Sequence, residues 1–144
     1  MPLDDQIAQR QANLQAIRDL GVALYPHAFD ATASVSKLVD LHGQKTGEAL
    51  EAERPEVRVA GRILGIRAFG KASFLVLSDG RSTVQAYLRQ DSIPERDFAI
   101  YKRLDFGDHV GVAGRVFRSK TNELSVWASS LTFLAKCLLP LPEK

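Results

Sequence analysis

The sequence has one cysteine, no long apolar run and almost no net charge. With Cys137 alone, the chain cannot form an internal disulfide or a cysteine-based metal cluster. No stretch is apolar for long enough to span a membrane and no signal peptide opens the chain, so we expect a cytoplasmic protein. The 144 residues, 45% of them apolar, can bury a core without disulfides or metals.

The near-neutral charge excludes a protein that coats nucleic acid by charge alone. The chain carries 19 Lys and Arg against 17 Asp and Glu, which gives a net charge of +2. A nucleic-acid site would therefore depend on local clusters of charge and on specific contacts.

The motifs of small independent enzymes are also missing. The sequence has no HExxH and no Gly-x-Ser-x-Gly, and its three histidines share no metal-ligand spacing. Gly65–Lys71 approaches a phosphate-binding loop, but Ala72 stands where that motif needs Ser or Thr, and a predicted strand follows instead of a helix. Asp105 and Asp108 flank Phe106-Gly107 and are predicted to form a turn rather than a catalytic pair.

The first third of the chain is predicted to be helical. Apolar residues recur at helical spacing over residues 4–20, and Gly21 is predicted to end this helix. Ser34 is predicted to cap a second, shorter helix. We treat residues 1–54 as a helical extension and expect it to pack on the domain that follows.

From Glu56 the apolar residues alternate with polar ones, which predicts strands. Five strands are predicted over residues 57–63, 73–78, 83–88, 110–116 and 124–134, with turns at Phe69-Gly70-Lys71 and Asp79-Gly80. A helix capped by Ser92 is predicted between the third and fourth strands. This order predicts a mainly β domain, a five-stranded OB-fold Greek-key barrel over residues 55–139, whose open face binds oligonucleotides. Residues 140–144 would begin a linker.

Basic residues cluster on the predicted strands and loops. The candidates for phosphate contacts are Arg62, Lys71, Arg115, Arg118 and Lys120. Phosphate binding needs such charges, and the resulting affinity falls with salt. Charge alone, however, favours a solvated strand surface over a binding site.

Phe74 and Gln85 lie on strands joined by the predicted Asp79-Gly80 hairpin. An exposed Phe is a stacking surface worth about 1–3 kcal/mol per base. A neighbouring Gln amide can donate and accept at once, and so can read a base edge. Strand parity alone leaves open whether Phe74 faces the core or the solvent.

Several motifs together resemble the N-terminal anticodon-binding domain of bacterial class II lysyl-tRNA synthetase. The resemblance covers nearly the whole chain in order and rests on Leu20–Val22, Tyr25-Pro26, Val59–Ile63, Arg67, Gly70–Phe74, Gly107-Asp108, Gly111–Gly114, Glu123–Val126, Leu134–Lys136 and Pro140–Lys144.

The resemblance implies a role for four residues. Phe74 matches the aromatic residue on which the central anticodon uridine stacks, and Arg67 and Gln85 match the residues that bind the edge of that base. Glu123 matches an acidic residue that contacts a neighbouring anticodon base. The implied partner is the anticodon stem-loop of lysine tRNA, and the implied full-length parent is a homodimer.

The sequence departs from the family at a few positions. Asn122 stands where the family usually has Gly, but Asn tolerates a left-handed turn, so we expect the hairpin to survive. Ser78 replaces a usual Gln, and Leu139 replaces an Arg. The family's catalytic domain has no counterpart here. We therefore expect no enzyme activity and no cofactor for this chain, since ATP and magnesium would bind the absent domain.

Two alternatives stay open. One is a general single-stranded nucleic-acid-binding OB module, or the related domain of aspartyl- or asparaginyl-tRNA synthetase. The other is a protein-interaction or dimerisation module, which predicts apolar exposure on the first helix at Ile7, Leu14 or Ile17.

Overall fold

The computed structural model describes residues 2–20 and 31–137. The predictions for Gly21, Tyr25-Pro26, Leu139 and the linker at 140–144 lie outside the described residues. The elements are α1 Leu3–Asp19, α2 Val35–His42, α3 Gly47–Glu53, β1 Glu56–Phe69, β2 Ala72–Ser78, β3 Thr83–Arg89, α4 Glu95–Tyr101, β4 His109–Arg118 and β5 Leu124–Ala135. No helix in these two ranges has the length and apolar character needed to cross a bilayer.

The five strands close into one barrel in the order β1-β2-β3-β5-β4. β3 and β5 pair in parallel, and the other four pairs are antiparallel. Inward side chains alternate with outward ones, as Leu75 and Leu77 on β2 illustrate, both fully buried. This topology, with α4 between β3 and β4, confirms the predicted OB-fold barrel.

Strand β1 is twice as long as the alternating pattern predicted, because its two halves pair with two different strands. Residues 56–62 pair with β4, and residues 62–69 pair with β2. The register shifts between Ile63 and Gly65, where a bulge lets the strand turn from one partner to the other. The alternation of apolar residues ends at this bulge, which explains why the sequence pattern predicted a shorter strand.

Helix α4 packs on the barrel through its buried Phe98 and Ile100 and through two polar contacts. The Tyr101 hydroxyl donates to Oγ of buried Ser73 at 2.7 Å, and the Asp97 carboxylate accepts from the backbone N–H of Leu131 at 2.9 Å. The predicted cap at Ser92 is wrong, since the helix begins after Pro94 without a side-chain cap. The Ser92 hydroxyl instead closes the turn that leaves β3, accepting from the N–H of Arg89 at 3.3 Å.

The N-terminal helices pack on the barrel. Ser34 caps α2 as predicted, its hydroxyl accepting from the N–H of Lys37 at 3.1 Å. In α1, Ile17 is fully buried and Leu14 packs against the core. The apolar exposure that a dimerisation module would need is therefore not found at Ile17. The boundary at residue 54 stays a prediction.

A buried ion cluster joins the end of β5 to the turn before β4. Nζ of Lys136 lies 2.6 Å from Asp105 and 2.8 Å from Asp108, and the Lys136 and Asp108 side chains are 1% and 0% exposed. Asp108 also accepts from the N–H of Cys137 at 2.8 Å. The two aspartates flank the predicted turn, where Gly107 has a φ of +92°. They also compensate the charge of the buried Lys136.

Helix α1 is attached to the same region. Arg10 donates to the carbonyls of Phe106 and Cys137, each at 2.8 Å, and Asn13 donates to Asp105 at 3.0 Å. Since Arg10 and Asn13 are both buried, these bonds are shielded from water and fix the helix on the barrel.

Candidate nucleic-acid interface

Two rows of outward side chains cross the same side of the barrel. The strand register places Arg67, Phe74, Tyr87, Trp127 and Arg115 level with one another in the first row. Val76, Gln85, Ser125 and Phe117 form the second row, one step along the strands. We call the rings of Phe69, Phe74, Tyr87, Phe117 and Trp127 the aromatic face.

Phe74 lies on this outer side because its neighbours Ser73 and Leu75 point into the barrel. Its ring centroid is 4.9 Å from that of Tyr87 and 6.1 Å from that of Phe69. Phe74 is therefore outside the core, as expected, but these two rings leave it half-buried rather than fully exposed. Flanking rings restrict its rotamers, which prepares a firm surface for stacking.

Gln85 is half-buried in the second row, next to Phe74. The buried Ser125 hydroxyl donates to Oε1 of Gln85 at 3.3 Å across the parallel pair. With Oε1 turned toward Ser125, the amide Nε2 is the group that faces outward and can donate to a ligand.

Arg67 is the register partner of Phe74 on β1, so the two side chains lie side by side. Arg67 is exposed, and its guanidinium carbon is 5.8 Å from the centroid of the Phe69 ring. A cation held over a ring at the edge of the aromatic face can meet either a base or a phosphate.

Glu123 is exposed on the hairpin between β4 and β5, two residues before Ser125. The hairpin survives the replacement of Gly by Asn, because Asn122 takes a φ of +64° and its N–H donates to the carbonyl of Ser119 at 2.8 Å. The N–H of Glu123 donates to the Ser119 hydroxyl at 3.2 Å. Glu123 thus lies one strand step beyond the row that holds Gln85, on the side of the barrel that carries Phe74 and Arg67.

The five candidates for phosphate contacts differ in their surroundings. Lys71 and Lys120 are exposed on turns, and neither ammonium pairs with a side chain in the described parts of the chain.

Arg62 on β1 pairs in register with Ser78, which is four residues along β2 from Phe74. At the usual strand rise this places Arg62 about 13 Å from Phe74. It lines a separate groove of about 720 Å³ and donates to His109 at 3.3 Å. Burial and then the Arg62 charge lower the pKa of His109, opposed by Asp108, so at pH 7 its imidazole is neutral and can accept this bond.

Arg115 and Arg118 are engaged with the protein itself. Arg115 pairs with Glu51 at 2.9 Å and lies 4.8 Å from the Trp127 ring centroid. Arg118 donates to the carbonyls of Gly43 and Lys45 at 2.7 and 3.1 Å. These contacts hold the α2–α3 loop on the barrel and give Arg118 a structural role. A phosphate contact by either arginine stays a prediction.

Most of the aromatic face was missed by sequence reasoning. Tyr87 and Trp127 have ring centroids 4.9 Å apart, and Phe117 lies 5.4 Å from Trp127. Strand parity could have found Tyr87, which is two residues from Gln85. A side chain at Gly114 would collide with the Trp127 carbonyl, so this glycine allows the close approach that positions the tryptophan.

No group of three or more His, Cys, Asp or Glu residues within 2–20 and 31–137 is arranged to hold a metal ion. The absence of a cofactor stays a prediction. The site offers rings, an oriented amide, a carboxylate and exposed cations, which suit stacking and hydrogen bonding rather than bond-making chemistry.

Comparison with known proteins agrees with this geometry. Residues 57–134 match the tRNA anticodon family, described as an OB-fold nucleic acid binding domain. The chain is 46% identical over 138 residues to a lysine–tRNA ligase from Chromobacterium violaceum, covering 96% of this chain and 27% of the relative. It is 44% identical over 138 residues to the lysine–tRNA ligase of Thiobacillus denitrificans, with the same coverage of 96% and 27%.

A third lysine–tRNA ligase, from Bacillus cytotoxicus, is 39% identical over 142 residues, covering 99% of this chain and 28% of the relative. The chain thus spans little more than a quarter of the length of these relatives. This coverage agrees with the prediction that the sequence holds an anticodon-binding domain and not a catalytic one. The chain belongs to the tRNA anticodon family of OB-fold nucleic-acid-binding domains, in the form found in these lysine–tRNA ligases.

Proposed function

We propose that this domain binds the anticodon loop of lysine tRNA and selects it by its central uridine. One observation carries the proposal, namely that Phe74 lies on the outer surface of the barrel between Arg67 and Tyr87, next to Gln85. A base stacked on Phe74 would present its edge to Arg67 and Gln85. Glu123 would accept from an N–H of a neighbouring base. Such recognition needs no cofactor, and in a longer cytoplasmic, dimeric ligase it would supply tRNA identity while the chemistry takes place elsewhere.

The oriented amide of Gln85 gives a physical reason to prefer uridine over cytidine. The bond from the Ser125 hydroxyl turns Oε1 of Gln85 toward β5, which leaves the donor Nε2 to face a ligand. Like thymine, uracil presents an acceptor at O4, whereas cytosine presents an amino donor at N4. Two donors facing each other repel, so a cytidine on Phe74 would leave the amide unpaired.

The test is a titration of the chain with two anticodon stem-loops, one with the natural central uridine and one with cytidine there, at two salt concentrations. We expect the uridine loop to bind more tightly by about 1–3 kcal/mol. Phe74→Ala should remove a similar amount and most of the discrimination. Phe106→Ala is the matched control, since Phe106 is 49% exposed on a turn away from the aromatic face, and it should bind as the unaltered chain does.

The main competing function is a general single-strand binder, which the extended aromatic face would also suit. Equal binding of both loops, weakened equally by salt and insensitive to Phe74→Ala, would overturn the anticodon proposal and favour binding by charge. Equal binding that still depends on Phe74 would favour the general binder.

A further inference from the structure

We propose that Trp127 and Arg115, here named the Trp127 platform, form a second stacking site for another unpaired base of the same RNA loop. The proposal rests on the proposed function for the identity of the RNA, and it adds a subsite that neither the resemblance nor the family comparison assigns. It concerns the β5–β4 side of the aromatic face.

The register places the platform level with the first stacking site. Trp127 is the partner of Tyr87 on β3, and Tyr87 is the partner of Phe74 on β2. Two strand spacings separate Phe74 from Trp127, about 10 Å. A single strand that crosses the barrel with one base on Phe74 therefore passes over Trp127 with a base nearby in the sequence.

The platform is already ordered by its neighbours. The Arg115 guanidinium carbon lies 4.8 Å from the Trp127 ring centroid and 5.7 Å from that of Phe117. Glu51 of α3 holds Arg115 at 2.9 Å. Guanidinium planes and indole rings are both surfaces on which unpaired bases stack, and a fixed pair loses little entropy on binding.

The backbone fixes the tryptophan as well. The β4–β5 register shifts between Ala113 and Gly114, and the absence of a side chain at Gly114 lets the Trp127 carbonyl approach. Trp127 is nonetheless only half-buried. Part of the indole surface is therefore accessible to a base.

The experiment uses the fact that Trp127 is the single tryptophan of the chain, so indole fluorescence reports this site alone. The chain is titrated with the lysine anticodon stem-loop and with loops in which one nucleotide at a time is abasic. We expect the intact loop to quench Trp127. One abasic position other than the central uridine should abolish the quenching and weaken binding about 5- to 150-fold.

Variants separate base stacking from a structural role. Trp127→Phe keeps a ring and should retain most of the affinity, whereas Trp127→Leu should lose about 5- to 150-fold. Trp127→Leu should cost nothing further on the loop that already lacks the partner base. An equal loss on every loop, together with a lower unfolding midpoint, would mean that Trp127 only supports Tyr87 and Phe117, and would overturn the proposal.

The two proposals fail in different ways. If no loop quenches Trp127 at saturation while uridine is still preferred through Phe74, the platform is wrong and the anticodon function stands. If one abasic position abolishes the quenching while uridine and cytidine loops bind equally, the second stacking site is supported. The chain is then a general single-strand binder, and the anticodon function is wrong.

Discussion

The hydroxyl of Ser125 donates a hydrogen bond to Oε1 of Gln85 at 3.3 Å, from one strand of the parallel pair to the other. Ser125 is fully buried, and its single hydroxyl proton is shared with the carbonyl of Glu123, which accepts from the same hydroxyl at 3.0 Å. Ser125 lies in the second outward row but is itself buried, and its hydroxyl turns Oε1 of Gln85 inward so that Nε2 faces outward. It also connects two of the residues predicted to read bases.

Ser125→Ala should reduce the preference for the uridine loop over the cytidine loop without abolishing binding. Without the hydroxyl, the amide can turn, and Oε1 can accept from the cytosine amino group. We expect the preference to fall by about 0.5–1.5 kcal/mol, the value of one hydrogen bond. Dissociation constants for the two loops measure this. Ser129→Ala is the matched control, since Ser129 is exposed on the same strand and bonds only to the Ala113 carbonyl in the described residues. An unchanged preference in Ser125→Ala would contradict the orienting role.

The buried ion cluster makes a second prediction, on stability. Lys136→Met removes the cation that compensates Asp105 and fully buried Asp108. Breaking one side of a buried pair leaves an uncompensated charge and costs about 3–5 kcal/mol. Urea unfolding should therefore show a greatly reduced free energy of unfolding.

Two further variants check the reason for this loss. Lys37→Met, at an exposed lysine, should change stability by no more than about 0.5 kcal/mol. Adding Asp105→Asn and Asp108→Asn to Lys136→Met should restore part of the stability, since neither carboxylate is then left without its cation. If the triple variant is less stable than Lys136→Met, the loss comes from packing and not from the unpaired carboxylates.

The fold was predictable because apolar and polar residues alternate along the strands, and side chains of a barrel strand point alternately into the core and toward solvent. Val57, Val59 and Ile63 alternate as predicted and are buried. The features that were not predicted depend on how the chain is arranged in three dimensions. The extension of β1 to Phe69 needs the bulge between Ile63 and Gly65 and a second partner strand. The Ser92 hydroxyl bonds to Arg89 and to the distant Ala128 carbonyl instead of capping the helix.

The site was predictable only in part, and for the same reason. Phe74 and Gln85 could be named from strand positions and resemblance. Whether a basic side chain is available to contact RNA, however, depends on which partners it has in the folded protein. Arg118 and Lys120 are two residues apart and look alike in the sequence, but only the first reaches the α2–α3 loop.

These two residues make the third prediction. Arg118→Ala should lower the free energy of unfolding by about 1.5–3 kcal/mol, because a charged donor to two part-buried carbonyls is lost. Arg118→Lys should not restore it, since an ammonium lacks the forked geometry. Lys120→Ala should leave the unfolding curve unchanged but reduce the slope of log affinity for RNA against log salt by about one unit. An unchanged salt slope in Lys120→Ala would rule out a phosphate contact there.

Asp79 joins the β2–β3 hairpin to helix α2. Ser36 lowers the pKa of Asp79 first through its hydroxyl, and the backbone N–H groups of Ser82 and Arg81 lower it further. The Ser36 hydroxyl lacks a partner with full hydrogen-bond geometry, so the firmer contact from that residue is its N–H, at 2.8 Å. This N–H belongs to the first turn of α2, where a carboxylate is favourable.

The fourth prediction follows from the sign of this shift. A carboxyl whose pKa is lower in the folded state stabilises the fold above its ordinary pKa of 3.8, and loses that contribution as the pH falls below this value. Asp79→Asn keeps an acceptor but removes the charge, so it should be less stable than the unaltered chain at pH 7. The loss should be about 1 kcal/mol or less, since the group is exposed and screened. Urea unfolding at pH 7 and at pH 3 measures the difference, which should shrink at the lower pH. A difference that is the same at both values would mean that the charge of Asp79 does not contribute, and that its geometry alone supports the end of α2.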